Sequence, residues 1–254
     1  MAVKLVISGC CGRMGQAVAR CALEDAGFAI GAAMEAPRHE AIGQDYGAVI
    51  GRPVGLGVPV QDDAKTALAL GDVLIEFTTA EVTVAHAQLA QQLRKPMVIG
   101  TTGLSEDQQA ALRASAKTIP IVFSPNMSVA VTVLFELAQF AAQRLGSSYD
   151  VEVVEAHHHL KKDAPSGTAK RLADVLAQAR RQPVSAIAVH AIRAGDIVGD
   201  HTVILAGPAE RLELTHRAHS REVFALGALR AAQFVVKQPP GLYDMSHVLR
   251  STAT

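Results

Sequence analysis

A short apolar run, Val3 to Ser8, ends in Gly9-Cys10-Cys11-Gly12-Arg13-Met14-Gly15. No other stretch limits the fold as much. Three glycines at spacing GxxGxxG allow a tight turn and a backbone that can approach a ligand closely. The helical pattern that follows puts Met14, Val18, Cys21 and Ala22 on one face. A second apolar run, Phe28 to Ala33, is followed by Glu35, twenty residues after Gly15. Strand, glycine turn, helix, strand and acid are the outline of a dinucleotide-binding unit. The turn amides suit a pyrophosphate, and Glu35 suits the adenosine ribose hydroxyls. A glycine-rich turn without a ligand is the alternative, and the correctly placed acid weighs against it.

The next hundred residues repeat the alternation. Ala36 to Leu70 reads as a long loop, a short strand near Val58 to Val60 and a helix from Asp62. Strands at Val73 to Phe77, Pro96 to Ile99 and Ile119 to Phe123 alternate with helices Glu81 to Leu93 and Glu106 to Lys117. The second helix opens on a Ser105/Gln108 capping box. The three strands end in Thr78-Thr79, in Gly100-Thr101-Thr102-Gly103 and in Ser124-Pro125-Asn126-Met127. Ligands of open parallel sheets lie outside the strands' carboxyl ends, so these turns are candidate lining for a nicotinamide and phosphates.

Ser128 to Leu145 reads as an apolar helix leading into a second unit. A strand from Asp150 to Glu155 and a helix from Ala169 to Arg181 follow. Then Val184 to Ile192, His201 to Ala206 and Leu212 to Ala218 alternate with turns and no helices, which predicts antiparallel pairing. Val203, Leu205, Leu212 and Leu214 suggest a sheet face covered by a partner subunit. Arg221 to Val236 is the last long helix, and Leu242 to Leu249 is expected to pack back on the first domain. The fold class is α/β: a Rossmann-type dinucleotide-binding domain (1–127 with 222–254) plus an α+β substrate and oligomerisation domain (128–221) with a mixed open sheet.

Between the second domain's first strand and its helix lies Glu155-Ala156-His157-His158-His159-Leu160-Lys161-Lys162-Asp163-Ala164-Pro165-Ser166-Gly167-Thr168. Imidazoles can carry a proton near neutral pH and a lysine can donate one. Ser166 or Thr168 can cap the helix, whose free N–H groups favour an anion. This is equipment for holding a small carboxylate while a proton moves. A solvated polar loop is the plain alternative. A metal held by His157 and His159 is a third reading, but it lacks further ligands of the right spacing.

Lys plus Arg equals Asp plus Glu, at 24 each, so charge gives no support to a nucleic-acid or anionic-membrane partner. No apolar run is long enough for a membrane span, and the opening residues lack a signal-peptide pattern. Cys10, Cys11 and Cys21 are odd in number and lack metal spacing, which fits a reducing cytoplasm.

Several of these stretches together resemble a known family. Glu155 to Ala169 is the most specific. Gly9 to Gly15, Gly100 to Gly103, Arg193-Ala194-Gly195-Asp196-Ile197-Val198-Gly199 and Tyr243-Asp244-Met245 agree with it. Over essentially its whole length the chain is similar to the 4-hydroxy-tetrahydrodipicolinate (dihydrodipicolinate) reductases of bacterial lysine and diaminopimelate synthesis. The resemblance implies an NAD(P)H-dependent oxidoreductase acting on a cyclic dicarboxylate imine formed by loss of water. It makes His157 the catalytic acid/base and Lys161 the proton donor. It gives substrate binding to His158, Ser166, Gly167, Thr168 and Arg221. Cofactor binding falls to Gly9, Cys10, Cys11, Gly12, Arg13, Met14, Glu35, Gly100, Thr101, Thr102, Ser124, Pro125, Asn126 and Met127. No metal and a homotetramer are implied.

Two departures stand out. Ala36 follows the ribose-binding acid where the family often has Arg, and Arg181 to Ile192 is shorter than usual, which bears on any substrate-covering loop. With Glu35 facing a 2′-phosphate and no adjacent cation, NADH is expected to be preferred and NADPH to be accepted weakly. A dinucleotide-sensing module without catalysis, or another imine or aldehyde reductase, are the rival functions.

Overall fold

The protein is described here by a computed structural model, over residues 1–251. The chain forms two units, Met1–Met127 with Phe224–Thr254, and Ser128–Val223. In chain order the first unit contributes β1 (Val3–Ser8), α1 (Arg13–Leu23), β2 (Phe28–Met34), α2 (Tyr46–Val49), β3 (Val60–Gln61) and α3 (Ala64–Ala69). It continues through β4 (Val73–Glu76), α4 (Ala80–Leu93), β5 (Met97–Ile99), α5 (Glu106–Ser115) and β6 (Pro120–Phe123). The second unit carries α6 (Val129–Leu145), β7 (Asp150–His157), α7 (Gly167–Arg180), β8 (Ala188–Arg193), β9 (Asp200–Ala206) and β10 (Arg211–Arg217). The chain ends with α8 (Glu222–Val235), β11 (Gly241–Tyr243) and α9 (Met245–Arg250).

In the first unit seven parallel strands lie in the order β11-β6-β5-β4-β1-β2-β3. Val6, Leu74, Met97, Ile99 and Ile121 are buried in one continuous core with Leu68 and Leu112 of the helices. Burial of such a side chain stabilises by about 1.5–3 kcal/mol each, which explains apolar runs without polar alternation. The chain leaves β1 toward β2 and β3, then returns to place β4 on β1's other side. That reversal opens a crevice at the carboxyl ends of β1 and β4, where doubly wound sheets take ligands. The C-terminal segment joins this sheet, because β11 pairs with β6.

The second unit has a four-stranded sheet in the order β10-β9-β7-β8. β9 runs antiparallel to β7 and β10, whereas β8 runs parallel to β7. The sheet is therefore mixed, as expected, with antiparallel pairing at β9 and one parallel pair, β7 with β8. Helix α7 intervenes between β7 and β8, and a helical crossover returns the chain in the same direction. The expected strand also begins later, since Val184–Ala186 is a 3₁₀ turn.

Val203 and Leu205 are completely buried, packed with Val151 and Val153 against Leu134 and Ala138 of α6 and Leu172 and Leu176 of α7. The expectation that a partner covers them is corrected: helices of the same chain do so. Leu214 packs partly against this core, and Leu212 is exposed. Helix ends differ from the sequence reading by one or two residues. Ser166, not Thr168, caps α7, its hydroxyl accepting from Ala169 N. The Ser105/Gln108 capping box forms as read. No described helix is long and apolar enough to cross a membrane.

Candidate functional site

The glycine turn after β1 is built around close backbone contacts. Gly9 has φ +68°, and a Cβ there would lie 2.8 Å from the Phe77 carbonyl oxygen; one at Gly15 would lie 2.3 Å from the Gly9 oxygen. A side chain at either position would break the turn. The fully buried Tyr46 props it from below, its hydroxyl 2.9 Å from Cys10 O and 3.1 Å from Gly15 O. Sequence reading took that region for loop and missed Tyr46.

Helix α1 begins at Gly12 with no side-chain cap. By contrast α3, α4, α5 and α6 are capped by Asp63, Thr79, Ser105 and Ser128. The first-turn amides of α1 are thus left for an anionic group. At the end of β2 the Glu35 carboxylate accepts from Cys11 N (2.9 Å) and Ala36 N (3.0 Å). Each oxygen so uses one acceptor site and keeps another for a hydroxyl donor. A cleft of about 610 Å³ joins these parts, lined by Gly9, Cys11, Gly12, Glu35, His39 and Phe77 among others. Its size, glycine cradle and acid fit a dinucleotide.

On the cleft wall His86 Nδ1 lies 2.7 Å from Glu76 Oε2 and 3.3 Å from Ser8 Oγ, and Thr78 Oγ1 donates to the other oxygen of this fully buried Glu76. Sequence reading singled out neither Glu76 nor His86. A buried acid at a strand end and a His nearly two helical turns into α4 give no sequence signal until the fold brings them together.

Gly100, Thr101 and Thr102 do not line this cleft. A Cβ on Gly100 would sit 2.0 Å from a Phe77 ring carbon, and Thr101 Oγ1 accepts from Thr78 N at 3.1 Å and lies 2.9 Å from Thr83 Oγ1. They buttress the turn that does line it; Thr102 is exposed. Ser124 Oγ donates to Asn126 O (2.7 Å), Pro125 is exposed, and the Met127 side chain is buried. Met127 O lies where a Cβ on Gly227 would fall, so α8 packs directly on this turn. Cys10 is buried beneath the turn, Arg13 is exposed and Met14 half-buried.

In the second unit β7 keeps its two-residue alternation past its apolar part. Val151, Val153, Glu155 and His157 are buried in succession, so the last two core-facing positions hold an acid and an imidazole. Glu155 is fully buried and all its acceptor sites are used. Arg193, opposite His157 on β8, donates Nη1 to Oε2 (2.9 Å) and Nη2 to Oε1 (2.8 Å); Ser166 N donates to Oε1 (3.1 Å); His157 Nδ1 donates to Oε2. Burial pushes the carboxyl up, but Arg193, His157 and the Ser166 amide outweigh it and hold it below the usual carboxylate range. Burial pushes His157 below its ordinary value, and Glu155 pulls the other way.

The neighbouring groups form a compact set. The His201 ring stands edge-on to His157 at 5.2 Å, and Ser166 Oγ lies 3.2 Å from its Nε2. Burial and the nearby His157 push His201 down to about 3. Lys161 Nζ pairs with Asp163 Oδ1 at 2.8 Å, and its charge is felt at His157. His159 Nδ1 lies 2.8 Å from Gly195 O. His158 is half-buried beside them, Gly167 is exposed and Thr168 half-buried in the first turn of α7. Arg221 stands half-buried between β10 and α8 and makes no hydrogen bond or ion pair to this set among the described residues.

Among the described residues one group has ligand atoms close enough for a metal: Cys10, Cys11 and Glu35, within 4.8 Å of one another. Burial pushes both thiols up, helped by Glu35 and, at Cys10, by the Cys11 thiol, so they are protonated at neutral pH and poor ligands without proton release.

Comparison with known proteins agrees with this architecture. Residues 3–127 match the family described as dihydrodipicolinate reductase, N-terminus, and residues 130–249 its C-terminus. A 4-hydroxy-tetrahydrodipicolinate reductase of Syntrophus aciditrophicus is 43% identical, covering 97% of this chain and 98% of its own length. One from Anaeromyxobacter sp. (strain Fw109-5) is 48% identical over 97% of each. A dipicolinate-bound dihydrodipicolinate reductase structure from Paenisporosarcina sp. TG-14 has the same fold, with TM-score 0.80 at 24% identity over 96% of this chain and 98% of that one. From these matches, the chain belongs to the dihydrodipicolinate reductase family.

Proposed function

We propose that the protein reduces 4-hydroxy-tetrahydrodipicolinate, after loss of water, to tetrahydrodipicolinate in lysine and diaminopimelate biosynthesis. The observation that carries this is the Glu155–His157–Lys161 set beside the start of α7, in a chain whose other unit is built for a dinucleotide. Bound NAD(P)H supplies the hydride. The protein's own groups bind the substrate and deliver one proton, so that hydride plus proton complete the two-electron reduction.

His157 is the acid/base group and Lys161 the proton donor. A donor bond from Nδ1 to Glu155 leaves Nε2 as the working nitrogen. The amides of Gly167 and Thr168, with His158, Ser166 and Arg221, hold the substrate carboxylates. On the cofactor side, Gly9 to Met14 cradle the pyrophosphate and Glu35 binds ribose. Gly100 to Thr102 and Ser124 to Met127 stand at the adjacent strand ends and complete that side. NADH is favoured over NADPH, because Glu35 repels a 2′-phosphate and the exposed Ala36 offers no cation.

A homotetramer is the proposed assembly, through the sheet face opposite α6 and α7. That face carries Val154, Ala156 and Ile204 half-buried and Ile192 exposed, while α6 and α7 pack on the other face. The test of function is direct: substrate freshly made by the preceding synthase is added to enzyme and NADH. Loss of NADH absorbance with formation of tetrahydrodipicolinate is expected; NADH binding without turnover would make the chain a sensor.

A further inference from the structure

Glu155 joins three separate parts of the second unit's site: His157 on β7, Arg193 on β8 and Ser166 at the start of α7. Its four acceptor sites meet four donors: two from Arg193, one from the Ser166 amide at the start of α7, and His157 Nδ1. A buried carboxylate normally takes a proton or a partner, and an isolated one costs several kcal/mol. Here the partner is a planar guanidinium gripping both oxygens, which keeps the carboxylate ionised and fixes its plane. The imidazole that meets this carboxylate must place its proton on Nδ1.

We propose that Glu155, gripped by Arg193, is a positioning residue for His157: it fixes which ring nitrogen carries the proton, stabilises the protonated ring, and ties the ring to the start of α7. This rests on the acid–base reading of His157. The charged and titratable groups around the ring are Glu155 on β7 itself, Arg193 on β8, His201 on β9 and Lys161 in the following loop. Arg193 and Lys161 disfavour a positive ring, and His201 is held neutral by burial. Glu155 alone favours it. Arg193 thus acts through Glu155: it keeps an anion in place whose charge then outweighs its own at the ring, being nearer.

Glu155→Gln is the informative change. The amide must turn its NH₂ either toward Ser166 N–H or toward His157 Nδ1–H, and in both orientations it also faces a donor of Arg193. Either way the negative charge is gone. The His157 ring is followed by ¹⁵N NMR through a pH titration, without substrate, and kcat and KM are measured over the same range. The expected result is a neutral wild-type ring protonated on Nδ1 and a His157 titration moved to lower pH in the variant. With it, kcat at neutral pH should fall by roughly tenfold or more, with a smaller change in KM. Arg193→Lys keeps the charge but loses the two-oxygen grip, and should move both quantities part of the way. It serves as the second variant if Glu155→Gln does not fold. An unchanged His157 titration in both would overturn the proposal. A moved titration with wild-type kcat would leave the positioning in place and remove the acid–base role of His157 on which it was built.

Discussion

At the scale of single residues, Glu35 and its neighbours carry the proposed preference for NADH. Its carboxylate is oriented by two backbone amides and lines the cleft, so a 2′-phosphate would meet a fixed negative charge. Arg38 takes a left-handed backbone conformation (φ 67°), is exposed and does not line the cleft, whereas His39 does. Ala36→Arg should therefore move the ratio of kcat/KM for NADPH over NADH upward by roughly one to two orders of magnitude, the worth of one phosphate–arginine contact of about 1–3 kcal/mol. The comparison belongs at low ionic strength, where the charge effect is not screened. An unmodified protein that uses NADPH as well as NADH would show that His39 meets the phosphate and that Ala36 is no handicap.

Among the elements, β7 shows what was legible and what was not. The sequence places a strand at Asp150 to Glu155 and a connection to the next helix after it. In the structure the strand's alternation continues, with Glu155 and His157 on the buried face. Sequence gives no warning of this, because a buried acid is favourable only when its partners arrive: Ser166 comes with the next helix, 11 residues on, and Arg193 with a strand 38 residues away. The glycine turn, Glu35 and the Ser105 cap were legible because each depends on local backbone geometry. The parallel β7–β8 pairing was missed by treating the strands after α7 as a group of their own.

The same buried cluster makes a prediction about pH. His201 has an ordinary value of 6.5 and about 3 in the folded chain. Between these, the unfolded chain binds a proton that the folded chain does not, so stability falls as pH drops from about 6.5 toward 3. The full effect is on the order of 5 kcal/mol, at ~1.4 kcal/mol for each pH unit. His157, also pushed down by burial, acts in the same direction. Urea unfolding at fixed protein concentration from pH 7 to pH 4 should show a shallower loss in His201→Gln than in the wild type. Parallel slopes for the two proteins would contradict the assignment of the acid sensitivity to this ring.

For the whole molecule, the division of labour is the main result. One unit carries a glycine cradle, an uncapped helix start and an acid at the end of β2; the other carries an ionised Glu155 hydrogen-bonded to His157, a lysine and a capped helix start. The sheet face opposite α6 and α7 bears on assembly. Light scattering at micromolar concentration should give a mass near four chains, and a monomer would remove the proposed role of that face. The reductase reading itself is tested most directly by kcat of His157→Ala and Lys161→Ala with substrate saturating, alongside NADH affinity by fluorescence titration. The account predicts a fall in kcat on the order of 10² or more for each variant, typical of lost acid–base catalysis, with NADH binding kept because the first unit is untouched. Near-wild-type kcat in both variants would contradict it.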